Sequence, residues 1–425
     1  MYSFCISKNA LINTMKKLLS YLFLAFTFVT FAQEKDSIES KKRTVQEFKN
    51  MMSPYYNYGN GLGITSPDSL YQVNIRFRMQ NRIDYIHSDD DDDKIDGQIR
   101  RLRLRFDGYI GDPKFGYSMQ LSFAAGDVGS AEEGKNTNII RDAMIFYYPN
   151  KHWSLGFGQT KLPGNRQRVN SSGALQLTDR SINNAKFNID RDFGFQVLYN
   201  KRESEKFSYI LRGAISTGEG RNWTNFNDTG LAYTGKVELF PFGDFSNGGS
   251  NYEGDMHREQ TPKVMLSGAY SYNDRAHRTQ GGLGDDILGG GTANIQSLFL
   301  DAMFKYRGWS FMYSYMSRNS DKALFYNPED ISKFNYVYNG SGSDFQGSYT
   351  FPKHWEVIGR YSTQKVDKDI FEFTPNTNQY TLGLTKYIWE HAFKLQAEFT
   401  YEQQKFYNLN NKNNWYARFQ IEIGI

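Results

Sequence analysis

From Tyr71 to the last residue, the chain is built of segments of about ten residues in which apolar and polar side chains alternate. Near the end, for example, Phe393 and Leu395 alternate with Lys394 and Gln396. Because successive side chains of an extended strand point to opposite faces, each segment predicts a β-strand with one apolar and one polar face. Aromatic residues make up 16% of the chain although its mean hydropathy is −0.64, so hydrophobic residues are dispersed and not gathered into runs. This pattern favours strands over buried or membrane-spanning helices.

The connections between these segments alternate in length. Short connections are present at 111–115, 149–152, 306–308, 352–354 and 389–391. Long connections are present at 87–97, 126–137, 162–190, 217–229, 274–293, 319–336, 366–378 and 403–413, and 241–261 is long where a short one is expected. We therefore predict an all-β chain that forms a transmembrane antiparallel β-barrel of about 16 strands, with short periplasmic turns and long extracellular loops. A soluble two-sheet sandwich is the alternative, and it would need a very large aromatic core.

The one long apolar run lies near the N terminus. Two lysines precede the apolar stretch 18–29, and the small residue Ala32 follows it. This order predicts a secretory signal peptide over residues 1–32, with 1–14 as an upstream extension that is not translated. An N-terminal membrane anchor is the alternative, although the run is short for a membrane span.

Two further segments complete the predicted organisation. Residues 33–70 form a charged periplasmic lead, and residues 71–425 form the barrel. The single cysteine, Cys5, lies before the predicted cleavage position, so the mature chain is predicted to contain none and to have no disulfide framework. We expect the barrel to lie in the outer membrane of a Gram-negative bacterium, in contact with its lipid and lipopolysaccharide.

The composition argues against several other classes of protein. A formal charge of +4 is too small to indicate a nucleic-acid partner. The 6 histidines are scattered, so we expect no enzyme, no catalytic residue and no cofactor. His152 and His354 are interpreted as turn residues beside the interfacial Trp153 and Trp355 in preference to metal ligands. The run of aspartates at 89–93 is interpreted as a solvated hairpin tip in preference to a divalent-cation site, so no metal site is predicted.

Residues 98–106 read QIRRLRLRF and carry a cation at every second position. The cations in question are Arg101, Arg103 and Arg105, and the preceding strand carries Arg76, Arg78 and Arg82. A charge on the lipid face costs about 2 to 4 kcal/mol at the bilayer midplane, so the alternation predicts that these side chains face the lumen. Arg100 breaks the alternation, which predicts that it lies at the outer rim or is turned inward by a β-bulge. A row of guanidinium groups suits anions, whereas Asp107, Asp142 and Glu238 could balance the row and make it structural.

Three stretches carry a resemblance to a known family. They are RFRMQNRIDYI at 76–86, IRRLRLRFDGYIGDPKFGYSMQLSF at 99–123, and a longer stretch at 141–197 that begins RDAMIFYYPNKHW. They resemble the phosphate-selective porin O and P family, most clearly over residues 71–200. The resemblance implies a sixteen-stranded outer-membrane barrel, usually trimeric, with a long third loop folded into the pore and arginines that guide phosphate or polyphosphate. In this chain the third loop is 162–190.

Carried over position by position, the resemblance adds residues to the predicted wall. Arg78, Arg100 and Arg101 match inward wall arginines of the family. Arg168 and Arg180 match cations of its constriction loop. The complete set of predicted anion-binding and pore-lining residues is Arg76, Arg78, Arg82, Arg100, Arg101, Arg103, Arg105, Arg168 and Arg180.

One departure from the family limits the functional prediction. The phosphate-selective members have a dense arginine cluster in the fifth loop, where this chain has only Arg275 and Arg278. We therefore predict a homotrimeric porin for passive diffusion of small anions through an arginine-lined constriction, with phosphate or polyphosphate among its solutes. The alternative is a barrel that acts mainly as a binding or scaffold component of a surface complex.

Overall fold

The structure is a computed structural model, and it describes residues 55–57, 59–128, 139–222 and 228–425. The predicted signal peptide and the first part of the predicted lead lie outside the described residues, so the predicted domain division stays a prediction. Among the described residues, no helix is both long and apolar enough to cross a membrane.

The described residues form twenty β-strands joined by turns, loops and short helices. In chain order the strands are β1 Tyr55–Asn57, β2 Gly61–Thr65, β3 Tyr71–His87, β4 Lys94–Ile110, β5 Phe115–Ser122, β6 Ile140–Asn150, β7 Trp153–Lys161, β8 Arg191–Lys201, β9 Ser208–Ser216, β10 Ala232–Phe240, β11 Lys263–Ala276, β12 Ala293–Tyr306, β13 Trp309–Ser320, β14 Leu324–Asn327, β15 Asp330–Tyr336, β16 Gly340–Thr350, β17 Trp355–Val366, β18 Asn376–Trp389, β19 Phe393–Lys405 and β20 Lys412–Gly424. The short α-helices are Ala125–Val128, Arg166–Val169 and Ile182–Phe187, and the 3-10 helices are Ser172–Ala174, Ser246–Asn251, Leu288–Gly290 and Lys368–Ile370.

Sixteen of these strands close into one antiparallel barrel. Each strand from β3 to β13 and from β16 to β20 pairs with its neighbour, and β20 returns to pair with β3. Strands β14 and β15 form a separate hairpin within the sixth long loop. The predicted fold, an antiparallel barrel of about 16 strands, is confirmed.

The alternation in the sequence becomes an apolar exterior and a polar interior. On β12, Leu298 and Leu300 are exposed on the outer face, whereas Ser297 and Asp301 are buried inside. Tryptophans lie on the exterior next to the short turns, as Trp153 does at the start of β7. We call this end of the barrel the turn end and the opposite end the loop end. An apolar band bordered by aromatic residues is the surface that a bilayer requires.

A β-bulge explains the residue that breaks the alternation. The pairing of β3 with β4 joins Gln80 to Arg101 and Asn81 to Ile99, so Arg100 is left over between them. The extra residue lets the Arg100 guanidinium turn inward, where its Nε donates to Asp179 at 2.8 Å. The predicted bulge is confirmed.

An N-terminal hairpin lengthens the wall at the turn end. The pairing of β20 with β3 ends at Arg78. Beyond this point β2 pairs with the same edge of β3, with Leu62 opposite Ile75. Arg76 fixes the hairpin by donating to the carbonyl oxygen of Gly59 at 2.9 Å. These residues fall within the predicted lead, which therefore contributes strands to the same sheet as the barrel.

The connection 241–262, which is long where a short turn was expected, enters the barrel interior. Lys305 on β12 is almost fully buried and donates to the carbonyl oxygens of Gly249 at 2.8 Å and Gly254 at 2.6 Å. Phe245 packs in the same connection against Phe240 of β10. Buried backbone carbonyls need such donors, so these contacts hold the connection in place.

Candidate functional site

The long connection 162–190, which we call loop 3, lies inside the barrel and is bound to its wall through the main chain. Wall side chains donate to loop carbonyl oxygens, and wall carboxylates accept from loop N–H groups. Lys236 donates to the carbonyl oxygen of Gly164 at 3.0 Å, Lys394 to that of Leu175 at 2.6 Å, and Arg360 to that of Asp179 at 3.0 Å. The Asp301 carboxylate accepts from the main-chain N–H of Arg166 at 3.0 Å, and the Glu398 carboxylate accepts from the main-chain N–H of Thr178 at 2.9 Å. Contacts from several strands on one side of the barrel give loop 3 a defined position across the lumen.

The local sequence of loop 3 suits this path. The Ser181 hydroxyl accepts from the Asn184 N–H at 3.1 Å and so begins the helix Ile182–Phe187. The same hydroxyl donates to Asp344 of β16 at 2.7 Å, and Asn183 donates to Asp344 at 2.9 Å. The N terminus of this helix is thereby attached to the wall, because the Asp344 carboxylate accepts hydrogen bonds from both Ser181 and Asn183.

A cavity of about 650 Å³ lies between loop 3 and the opposite part of the wall. It exists because the strands there turn small residues inward, among them Ser118, Ser154 and Gly156. A Cβ atom on Gly156 would lie 2.5 Å from Cε of Met144, so any larger side chain would enter the space that neighbouring side chains occupy. The cavity reaches from Lys161, at the loop end of β7, to Ile425 near the turn end.

The charges that line this cavity are strongly unequal. Nine lysine and arginine residues line it, namely Arg76, Arg78, Arg103, Arg105, Lys161, Arg166, Arg191, Arg202 and Arg212. The acidic side chains of the lining are Asp142 and Glu238. Four of the nine predicted arginines are in this group. The Arg105 side chain is the most open of the four, with 42% of its surface exposed.

Carboxylates near the cavity are shared between several arginines. Asp107 pairs with Arg76 and Arg105, Asp127 with Arg103 and Arg141, Asp179 with Arg82, Arg100 and Arg101, and Asp190 with Arg168, Arg191 and Arg221. Ten arginines thus share four aspartates, although Arg82 and Arg191 each reach a second carboxylate. A guanidinium that shares its counter-ion keeps part of its positive field for other anions.

Asp179 of loop 3 is the centre of one of the two groups that contain three arginines. Arg100 binds it through two nitrogens at 2.8 and 3.1 Å, Arg101 through Nη2 at 2.8 Å, and Arg82 through Nη1 at 3.2 Å. Burial alone raises the pKa of Asp179, but the charges of Arg101 and Arg100 outweigh it and hold this pKa well below its usual value. Three predicted arginines therefore lie together near the loop end, where they hold loop 3.

The two predicted arginines of loop 3 have different surroundings. Arg168 donates to Asp190 at 2.5 Å, whereas Arg180 donates to the carbonyl oxygens of Gln167 and Asn170. Burial raises the pKa of Asp190, but the positive charge of Arg168 outweighs it and holds the pKa well below its usual value. Both arginines lie within loop 3, and neither of them is among the described residues that line the cavity.

Sequence reasoning missed several charged residues of the lumen. Five residues line the cavity although they were absent from the predicted set, namely Lys161, Arg166, Arg191, Arg202 and Arg212. Arg212 lies two residues after Ile210, so strand alternation places both side chains on the same inward face, and this alternation was present in the sequence. Asp179 carried no such signal, because a loop residue has no periodic neighbours.

The two other charged loops lie away from the cavity. Arg275 of the fifth loop pairs with Asp274 at 3.3 Å, and neither it nor Arg278 is part of the cavity lining. In the aspartate run, Asp90 pairs with Lys412 at 2.6 Å. No group of three or more potential metal-ligating side chains is present in the part of the chain that the structure describes.

Comparison with known proteins agrees with this architecture. Residues 73–243 match the family model described as phosphate-selective porin O and P, which confirms the resemblance over this part of the chain. No curated protein matches the chain in sequence.

Three similar solved structures are outer-membrane proteins. The outer-membrane channel DcaP of Acinetobacter baumannii is 13% identical, with 84% of this chain and 97% of that chain covered and a TM-score of 0.52. An anion-selective porin from Comamonas acidovorans is 13% identical, with 84% of this chain and 100% of that chain covered and a TM-score of 0.52. The trimer form of OmpT of Vibrio cholerae is 12% identical, with 83% of this chain and 99% of that chain covered and a TM-score of 0.50. At these identities the likeness concerns the fold. The family match over this part of the chain and the barrel with its apolar exterior together support a porin of the Gram-negative outer membrane.

Proposed function

We propose that this outer-membrane porin favours small anions, with phosphate and polyphosphate among its solutes, and that arginines of the lumen guide them. The observation that carries the proposal is the excess of cations in the cavity, nine against two carboxylates. An anion that enters such a cavity gains from every uncompensated charge, whereas a cation is repelled.

The arrangement of the arginines supports a stepwise path. Arg100 and Arg101 lie near the loop end, Arg103 lies deeper on the same strand, and Arg105 lies deeper again. Alternate residues of a strand are about 6.6 Å apart, so an anion can pass from one guanidinium to the next without leaving the positive field. Arginine suits this role because its forked donors match phosphate and it stays charged.

The predicted residues take distinct parts in this proposal. Arg76, Arg78, Arg103 and Arg105 act in the cavity, whereas Arg82, Arg100 and Arg101 act near the loop end around Asp179. Arg168 and Arg180 act from loop 3. The five lining cations that were missed in the sequence extend the cationic lining, namely Lys161, Arg166, Arg191, Arg202 and Arg212.

The test is the reversal potential of the purified protein in a planar bilayer under a salt gradient. We expect anion preference in the wild type and a clear loss of it in Arg105→Gln, since this side chain is the most open of the predicted cavity arginines and Arg76 remains to pair with Asp107. Lys206→Gln is the matched control, because Lys206 is 80% exposed in a turn and does not line the cavity.

Three results would contradict the proposal or one of its parts. Equal permeability to anions and cations in the wild type would remove the anion preference itself. A barrel that conducts no ions would favour the scaffold alternative. An unchanged preference in Arg105→Gln would contradict the role of that residue.

We further propose that the protein assembles as a homotrimer. The support is the barrel it shares with OmpT of Vibrio cholerae, whose structure is described as a trimer form. Light scattering in detergent should give a protein mass three times that of one chain, and a single-chain mass would contradict the proposal.

A further inference from the structure

The inner wall near the turn end carries apolar side chains, although lumen-facing positions of a porin are usually polar. Ile210, Phe240 and Met265 point inward on the neighbouring strands β9, β10 and β11 and are almost fully buried. They form one cluster with Phe245 and Met303. Because Phe245 belongs to the connection 241–262, part of this cluster serves to pack that connection against the wall.

The cluster also forms part of the cavity. Ile210, Phe240 and Met265 are all in the cavity lining, and so is Leu198, which packs against the cluster and is only half-buried. Phe146 and Val169 are half-buried too and line the same cavity. We call these six residues the apolar face.

Guanidinium groups lie directly beside the apolar face. The Arg202 guanidinium carbon is 5.1 Å from the centre of the Phe240 ring. Arg212 follows Ile210 on the inner face of β9, and its Nε donates to Glu238 at 3.0 Å. The cavity therefore offers positive charge and apolar surface within reach of one small molecule.

We propose that this cavity selects organic anions with an apolar body, such as aryl or short alkyl phosphates and carboxylates, over inorganic phosphate. The inference rests on the proposed anion preference and names the class of anion. Inorganic phosphate has only oxygens to offer and can use the guanidinium groups alone. An aryl phosphate uses the same groups and also removes from water its ring and the half-buried members of the apolar face, which are Leu198, Phe146 and Val169.

The experiment compares two anions that share one head group. Phenylphosphonate and methylphosphonate are added in turn to the purified full chain in a planar bilayer, and the concentration that halves the chloride current is measured for each. Burial of most of a phenyl ring should make phenylphosphonate effective at a concentration at least about ten-fold lower. Equal concentrations for the two phosphonates would overturn the inference.

Variants of Leu198 connect the preference to the apolar face. Leu198→Asn should reduce the ratio between the two phosphonates, and Leu198→Met should keep the ratio of the wild type. An unchanged ratio in Leu198→Asn would overturn the assignment to this face.

The same bilayers separate this inference from the proposed function. A reversal potential that favours anions, with no difference between the phosphonates, overturns only the choice of organic anions. A reversal potential without anion preference overturns the proposed function and, with it, this inference.

Discussion

Replacement of Asp179 by asparagine would test how loop 3 is held. The substitution keeps the shape of the side chain but removes the negative charge that Arg82, Arg100 and Arg101 share. The loss of one partner of a fully buried ion pair costs about 3 to 5 kcal/mol, and the loss of an exposed pair costs about 0 to 1 kcal/mol. Asp179 is 23% exposed, so we expect a loss of about 2 to 4 kcal/mol in this part of the fold.

The assay is limited proteolysis with trypsin in detergent, followed by identification of the fragments. If loop 3 detaches more often, cleavage after Arg180 should become faster in Asp179→Asn than in the wild type. Asp90→Asn is the matched control, since Asp90 is 55% exposed and pairs with Lys412 near the loop end. Equal cleavage rates for the two variants would refute the role assigned to Asp179.

The pH dependence gives an independent check on the same residue. The pKa of Asp179 is depressed in the folded chain, because the charges of Arg101 and Arg100 outweigh burial. Its contribution to stability is therefore fully present above the pKa of the unfolded chain, and it is lost as the pH falls through the folded pKa. The difference between wild type and Asp179→Asn should thus be greatest near neutral pH and should shrink in strong acid.

Two further predictions concern the cavity and the fourth long loop. Gly156→Leu should lower the single-channel conductance without a change in heat-modified migration on gels, because the new side chain enters the cavity next to Met144; an unchanged conductance would mean that ions pass elsewhere. Burial raises the pKa of Glu219 to about 7, with Asp192 adding to the rise, so the folded chain binds the proton more tightly than the unfolded chain does. Stability should therefore fall as the pH rises from about 4.5 to above 7, by less than the roughly 3 kcal/mol of the full shift because solvent screens part of this charge. Glu219→Gln should abolish this fall in thermal unfolding measurements, and equal slopes in both proteins would contradict it.

Much of the barrel was predictable because strand alternation is a local property. The inward direction of Arg101 and Arg103 followed from the cost of a charge in lipid, and the irregular position of Arg100 predicted either a bulge or a place at the outer rim. The long connection 241–261 was noticed as an exception, but its length alone did not show that it enters the barrel. Its position depends on donors such as Lys305, which is distant in the sequence.

The candidate site was predictable only in part. The arginines of β3 and β4 were found because their period of two placed them on one face. Their counter-ions were not all found, because Asp127 and Asp179 lie outside the strands, where no alternation shows the direction of a side chain. The apolar side chains inside the lumen were missed for another reason, since alternation shows two faces but not which inward residues border a cavity.

The sequence by itself determined the strands, the two faces of each strand and the row of cations on one of them, because those features depend on residues one or two positions apart. Only the tertiary structure decided how much of the positive charge stays uncompensated and where the open space lies. Arg101 and Asp179 are separated by 78 positions in the chain, and their pairing exists because loop 3 crosses a closed barrel. Closure brings distant loops and strands together, and the charge and shape of the lumen arise from those contacts.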